Sequence, residues 1–147
     1  MMKLNTKMRY GTRALLELAL HHEQGALSLG QIAAAQGISE KYLEALLAML
    51  RNAGLVQSQR GPQGGYRLAR PPDKITLREV WDVLEGPEAF VPCTQDPTLC
   101  ERWTTCVTQE IWAEMYAAAL QVLEKTTLAD LVARGQQRLP DGGMYII

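Results

Sequence analysis

Three cysteines, Cys93, Cys100 and Cys106, are spaced C-x6-C-x5-C in an acidic, proline-containing stretch, and they are the only cysteines among 147 residues. Thiolates are soft ligands and good nucleophiles, so such a group suits a metal centre or redox chemistry. Zinc usually takes four ligands and often shows a C-x2-4-C pair, which is missing here. Iron–sulfur clusters tolerate wider spacing, with loop thiolates and a fourth ligand of another type. Redox thiols are the alternative: Cys106 lies near the start of a helix, where the dipole favours a thiolate, and Cys93 and Cys100 could resolve it. Inert thiols complete the options. An odd number of cysteines argues against a disulfide framework.

The charge is unevenly divided. Residues 1–75 carry ten Lys and Arg against five Asp and Glu, whereas residues 76–147 carry five against eleven. A basic first half beside an acidic second half implies that only the first meets a polyanion. The composition, 47% hydrophobic and 21% charged, is that of a globular chain. No run approaches the roughly 20 apolar residues of a membrane span. Lys3, Lys7, Arg9 and Arg13 are followed by apolar residues that Glu17 interrupts, with no small-residue cleavage site, so no signal peptide is expected. The expected location is cytoplasmic, with no membrane partner.

The basic half explains its own charge. Thr6 is expected to cap a helix to about His21, with Tyr10, Ala14, Leu15 and Leu18 at helical spacing. His21 and His22 then suit the negative pole of that helix better than a metal site. Ser28 opens a short helix through Ala35, Gly37 turns the chain, and Ser39 caps a third helix from Glu40 to Ala53. Two helices joined by a glycine turn form either a helix-turn-helix or an ordinary helical hairpin. The following residues favour the first. Leu55 to Gln59 reads as a strand, Arg60-Gly-Pro-Gln-Gly-Gly65 as a turn, and Tyr66 to Ala69 as a returning strand. This is the wing of a winged helix, flanked by Arg60, Arg67 and Arg70, which can meet phosphates or enter the minor groove. Gly61, Gly64 and Gly65 would let its tip approach the DNA backbone. As a nucleotide loop they fail, since they lack the lysine-bearing pattern and lead into a strand.

On the third helix Ser39 and Lys41 are placed to meet phosphate or a guanine edge. Glu44 is either a filter that accepts from cytosine or a solvated face. Beyond Pro71-Pro72, Thr76 caps a helix to about Glu85, a loop from Phe90 to Thr105 holds cysteines, and the longest helix runs from near Thr108 to about Lys125. Ile111, Met115, Ala118, Ala119, Val122 and Leu123 form its stripe, widened by Trp112 and Tyr116, which is more apolar surface than the domain needs for itself. A homodimer packed through this helix is expected, and it suits two-fold operator half-sites. A short helix from Leu128 to about Arg134 follows. The expected architecture is mainly α with a small β-hairpin: a winged helix-turn-helix DNA-binding domain over 1–75, a cysteine loop, cluster-binding in the first of the options above, with dimerisation helices over 76–134, and a flexible tail over 135–147.

Several stretches resemble the bacterial winged-helix regulators of the IscR, NsrR and RirA type, the Rrf-two family, from Lys3 to about Ala133. They are Lys7-x-Arg9-Tyr10, Arg13-Ala14-Leu15, Ile32-Ala33, Gln36-Gly-Ile-Ser39, Tyr42-Leu43-Glu44, Leu50-Arg51-x-x-Gly54-Leu55-Val56 and the wing Arg60-Gly-Pro-x-Gly-Gly-Tyr-x-Leu-Ala69. The resemblance implies a dimeric regulator, not an enzyme, that binds double-stranded operator DNA as a repressor. It further implies a 2Fe-2S or 4Fe-4S cluster on Cys93, Cys100 and Cys106, with DNA contact at Tyr42, Glu44 and Arg60. A thiol-based sensor without a cluster is the alternative. The chain departs from the family in three places. IscR-like members space their cysteines C-x5-C-x5-C, one residue fewer in the first gap than here. Gln109 stands where IscR-like members have a ligand histidine, and Arg9 where NsrR-like members have an aspartate reaching the partner's cluster. Asp96, Glu101, Glu110, a group from the other subunit, water or a small thiol are the remaining candidates for a fourth ligand.

Overall fold

The first helix, α1 (Thr6–Leu20), begins one residue earlier than a Thr6 cap requires, because Asn5 is the cap. Its Oδ1 accepts from the backbone N–H of Met8 at 2.7 Å. Asn5 also donates through Nδ2 to the carbonyl of Leu84 and through its backbone N–H to Glu85, both at 3.2 Å. Those distant contacts select Asn5 over its equally suitable neighbour. The structure is a computed structural model that describes residues 3–87 and 91–138.

Two short helices follow, α2 (Leu29–Gln36) and α3 (Glu40–Asn52). Ser28 and Gln31 form a reciprocal capping box, Gly37 takes the left-handed conformation that ends α2, and Ser39 caps α3. The wing is the antiparallel pair β1 (Val56–Gln59) and β2 (Gly65–Leu68), in the register Val56 with Leu68 and Gln59 with Gly65. Leu27 adds a one-residue third strand: it exchanges two backbone bonds with Tyr66, at 2.9 and 2.7 Å. That contact explains two glycines. A Cβ on Gly65 would run into the backbone of Leu27, and one on Gly64 into the carbonyl of Gln59. Both are therefore demanded by packing inside the hairpin, whereas Gly61, with open space around it, is at the tip.

The rest of the described chain is helical: α4 (Leu77–Leu84), α5 (Val107–Lys125) and α6 (Leu128–Arg138). Between α4 and α5 the expected loop contains three one-turn 3-10 helices, Pro92–Thr94, Pro97–Leu99 and Trp103–Thr105. Phe90, where that loop was expected to begin, lies outside the described residues. One core joins the two halves of the sequence. Leu15, Ile32, Leu43 and Leu47 from the winged helix pack in the same cluster as Ile75, Val80, Trp81 and Leu128. The backbone N–H groups of Leu77 and Leu128 also donate to the carbonyls of Thr126 and Ile75, at 2.8 and 3.0 Å.

Two expectations change in this half. The last helix continues to Arg138, so Gly135 to Arg138 are not part of a loose tail, and residues 139–147 lie outside the described residues. The stripe of α5 also divides into two faces. Tyr116, Leu120 and Leu123 pack toward the core. Val107, Ile111, Trp112, Met115 and Val122 are between 40% and 73% exposed, so α5 presents an apolar face that its own subunit does not cover. No helix among the described residues is long and apolar enough to cross a membrane.

Candidate nucleic-acid interface and cysteine loop

The first turn of α3 is built to face outward. Ser39 Oγ accepts from the backbone N–H of Tyr42 at 3.2 Å, which leaves Ser39, Lys41 and Glu44 exposed on one side. Lys41 and Glu44 form no ion pair among the described residues. Their charges are therefore unspent. Tyr42 is different: it is half-buried, with its ring edge-on to Tyr10 at 6.0 Å and 89°. Only part of that side chain faces outward.

Behind this turn lies a polar network that the sequence reading passed over. Arg13 donates through Nε to Gln36 Oε1 at 3.0 Å and through Nη2 to the Gln36 carbonyl at 2.8 Å. Gln36 Nε2 in turn donates to Glu17 Oε1 at 2.7 Å. Glu17 and Gln36 are both buried. In the sequence, Glu17 is visible only as a charge interrupting an apolar helix.

On the wing, Arg60 and Arg67 are exposed, and Arg67 pairs across the hairpin with Gln57. Arg70 is not a third free arginine. It is held by Glu79 at 2.7 Å and by the Lys74 carbonyl at 3.0 Å, so it braces the start of α4 and is corrected from the wing's phosphate-facing set. Gly64 and Gly65 shape the hairpin as described above. The exposed cations Lys41, Arg60 and Arg67 thus lie on the two elements, helix and wing, that a winged helix lays on a duplex.

The three cysteines are half-buried and free of disulfides. Cys93 lies in the first one-turn helix, Cys100 ends the second, and Cys106 follows the third as the N-cap residue of α5. The Thr108 hydroxyl lies 3.2 Å from Cys106 Sγ. Its hydrogen bond, with help from the backbone N–H of Gln109, lowers the Cys106 pKa below the usual thiol range. Asp96 has its carboxylate engaged by the Thr98 hydroxyl at 2.6 Å and backbone N–H at 3.0 Å. It is thereby tied into its own turn.

Tested against an iron–sulfur cluster, the loop fits in donor type and not in arrangement. Three free thiols supply the soft ligands that iron prefers. The Trp103 indole N–H, a donor only, is buried without a partner among the described residues. Sulfur acceptors would suit it. Yet no three Cys, His, Asp or Glu side chains among the described residues come together closely enough to hold a metal ion.

Comparison with known proteins agrees with this layout. Residues 4–134 match the family model described as Rrf2, iron-dependent transcriptional regulator. Protein rrf2 of Nitratidesulfovibrio vulgaris is 44% identical over 131 residues, spanning 89% of this chain and 87% of that protein. Among solved structures, the chain is similar to T. potens IscR, with a TM-score of 0.80, 39% identity and coverage of 97% of this chain and 94% of that one. It is also similar to CymR, described as the global cysteine regulator of B. subtilis, with a TM-score of 0.79, 43% identity and coverage of 91% and 98%.

Proposed function

The chain belongs to the Rrf2 family of transcriptional regulators, and from that premise we propose that it is a homodimeric, operator-binding repressor controlled by an iron–sulfur cluster on Cys93, Cys100 and Cys106. One observation carries the reading. The only three thiols of the chain lie free on the one segment that joins α4 to α5. That segment connects two functions: α4 packs on α1 and α3, and α5 carries the uncovered apolar face.

The DNA-facing roles follow from position. Ser39, Lys41, Tyr42 and Glu44 on α3 enter the major groove, with Lys41 on a phosphate or guanine and Glu44 accepting from cytosine. Arg60 and Arg67 engage phosphates from the wing, held at its angle by Gly64 and Gly65. The exposed face of α5 packs against a second copy, which spaces two reading helices for a two-fold operator. A cluster held by Cys93, Cys100 and Cys106 would supply sensitivity to iron supply, oxidation or nitric oxide at the loop. Holding it would require the three thiols to come together, and Cys106, as the N-cap residue of α5, would tie that change to the helix with the uncovered face.

A second reading, a thiol sensor without a cluster, is favoured by Cys106, whose pKa is lowered by Thr108 and whose place is a helix N-terminus. Similarity to a protein described as a cysteine regulator points the same way. The two part on one experiment: iron and sulfide content, with the visible spectrum, of anaerobically purified wild type and Cys106→Ala. The cluster reading requires a coloured wild type and a colourless variant. A colourless wild type that binds operator and loses it on oxidation supports the thiol reading instead.

A further inference from the structure

We propose that Arg13, a half-buried residue of α1, is a positioning residue that sets the sequence discrimination of α3. The inference rests on the DNA-reading role of α3 proposed above and adds its internal control. Three contacts carry it. Arg13 grips Gln36 twice, at the side-chain oxygen (3.0 Å) and at the main-chain carbonyl (2.8 Å). Gln36 is the last residue of α2, so this grip sets where the Gly37–Ser39 turn leaves that helix. The guanidinium also lies 5.3 Å from the centroid of the Tyr10 ring, which Arg9 approaches to 5.9 Å and which meets Tyr42 edge-on at 6.0 Å and 89°. One side chain therefore bears on the first turn of α3 by two routes, through the chain entering it and through the ring packed beneath it.

The arrangement is over-determined in a way that packing alone does not require. Glu17 and Arg13, one helical turn apart on α1, bind opposite ends of the Gln36 amide. The amide thus has a single orientation, oxygen to Arg13 and nitrogen to Glu17. Gln36 is 6% exposed and Glu17 9% exposed, so losing either bond leaves a buried polar group unpaired. Base reading depends on small displacements, because the residues that contact bases sit at the N-terminal end of a recognition helix. Arg13 also forms part of the wall of a groove of about 560 Å³ between α1, α4 and α6.

The test begins with a duplex selected from a randomised pool by the wild-type chain. Its affinity is compared with that of a scrambled duplex, at several salt concentrations, for wild type, Arg13→Gln, Arg13→Lys and Tyr10→Leu. Melting temperatures are recorded alongside. Arg13→Gln is expected to lower the ratio of selected to scrambled affinity by about tenfold, the worth of one well-placed base contact. Arg13→Lys does not restore the ratio, since an ammonium lacks the planar fork. Tyr10→Leu, which keeps the Gln36 bonds, lowers it less. The salt slope stays at its wild-type value in all three. A lower melting temperature with an unchanged ratio overturns the proposal, for Arg13 is then only structural. A salt slope reduced by about one with an unchanged ratio also overturns it, because Arg13 is then a phosphate contact. Selection that returns no preferred sequence refutes the DNA-reading function itself, together with this inference.

Discussion

Replacing Gly65 with alanine tests how the wing is held, and the expected cost follows from the geometry. Gly65 has φ +146, and a Cβ there would meet the carbonyl oxygen and carbon of Leu27 and the nitrogen of Ser28, all backbone atoms. Backbone cannot swing aside as a flexible side chain does. Relief requires β2 to leave Leu27, which breaks the two bonds between Leu27 and Tyr66. Each is worth about 1 kcal/mol net, and the left-handed backbone costs an alanine about 1 kcal/mol more. The sum is about 3 kcal/mol of folding free energy. Gly61→Ala is the control: φ is +108 but the space is open, so only the backbone term of about 1 kcal/mol applies. Urea unfolding followed by tryptophan fluorescence measures both. Operator binding below the transition should weaken for Gly65→Ala, because the wing no longer sits against the start of α2. A Gly65→Ala protein within about 0.5 kcal/mol of wild type, or a Gly61→Ala protein equally damaged, refutes the reasoning.

Further outcomes follow from the other sites. Arg60→Ala should weaken binding to all duplexes alike and reduce the salt slope by about one, with the dimer intact in sedimentation; loss of the dimer contradicts the assignment. Thr108→Val should remove the hydroxyl that lowers the Cys106 pKa, so alkylation of Cys106 by iodoacetamide in the cluster-free protein should slow at neutral pH and need more alkaline conditions. Burial pushes the Glu79 carboxyl up, but its bonds to Thr76 and Arg70 outweigh this and hold it below the usual range. With the folded pKa depressed, its stabilisation is present above the unfolded value of about 4.3 and is lost as pH falls through the folded one. Glu79→Gln should accordingly narrow its stability gap to wild type as the solution is acidified, and a gap that widens contradicts this sign.

What could be read from the sequence was mainly local. Ser28, Ser39 and Thr76 were identifiable as caps because the cap bond spans only three residues. The glycine-rich turn between two short β-prone runs marked the wing for the same reason. Features that depend on distant partners were misread or missed. Asn5 replaced Thr6 as the α1 cap through contacts with Leu84 and Glu85. Leu27 forms a single-residue strand, too short to carry any periodicity. Arg13 and Gln36 are 23 positions apart, so their pairing leaves no local signal. The mixed stripe of α5 showed that there was excess apolar surface, and only the packing of Tyr116, Leu120 and Leu123 revealed which face is spare. For the cysteines, type and count were evident, while their separation in space was not.

The central claim is that the state of the cysteine loop sets the grip of α3 and the wing on DNA. Its most direct test is operator affinity, at one fixed salt concentration, for anaerobically reconstituted protein, chelated protein and the Cys93→Ala, Cys100→Ala, Cys106→Ala triple variant. The reconstituted protein is expected to differ from the chelated one by about tenfold, a usual size for coupling between two sites, and the triple variant to match the chelated protein whether or not iron and sulfide are added. Equal affinities and the same sequence preference in all three would contradict it.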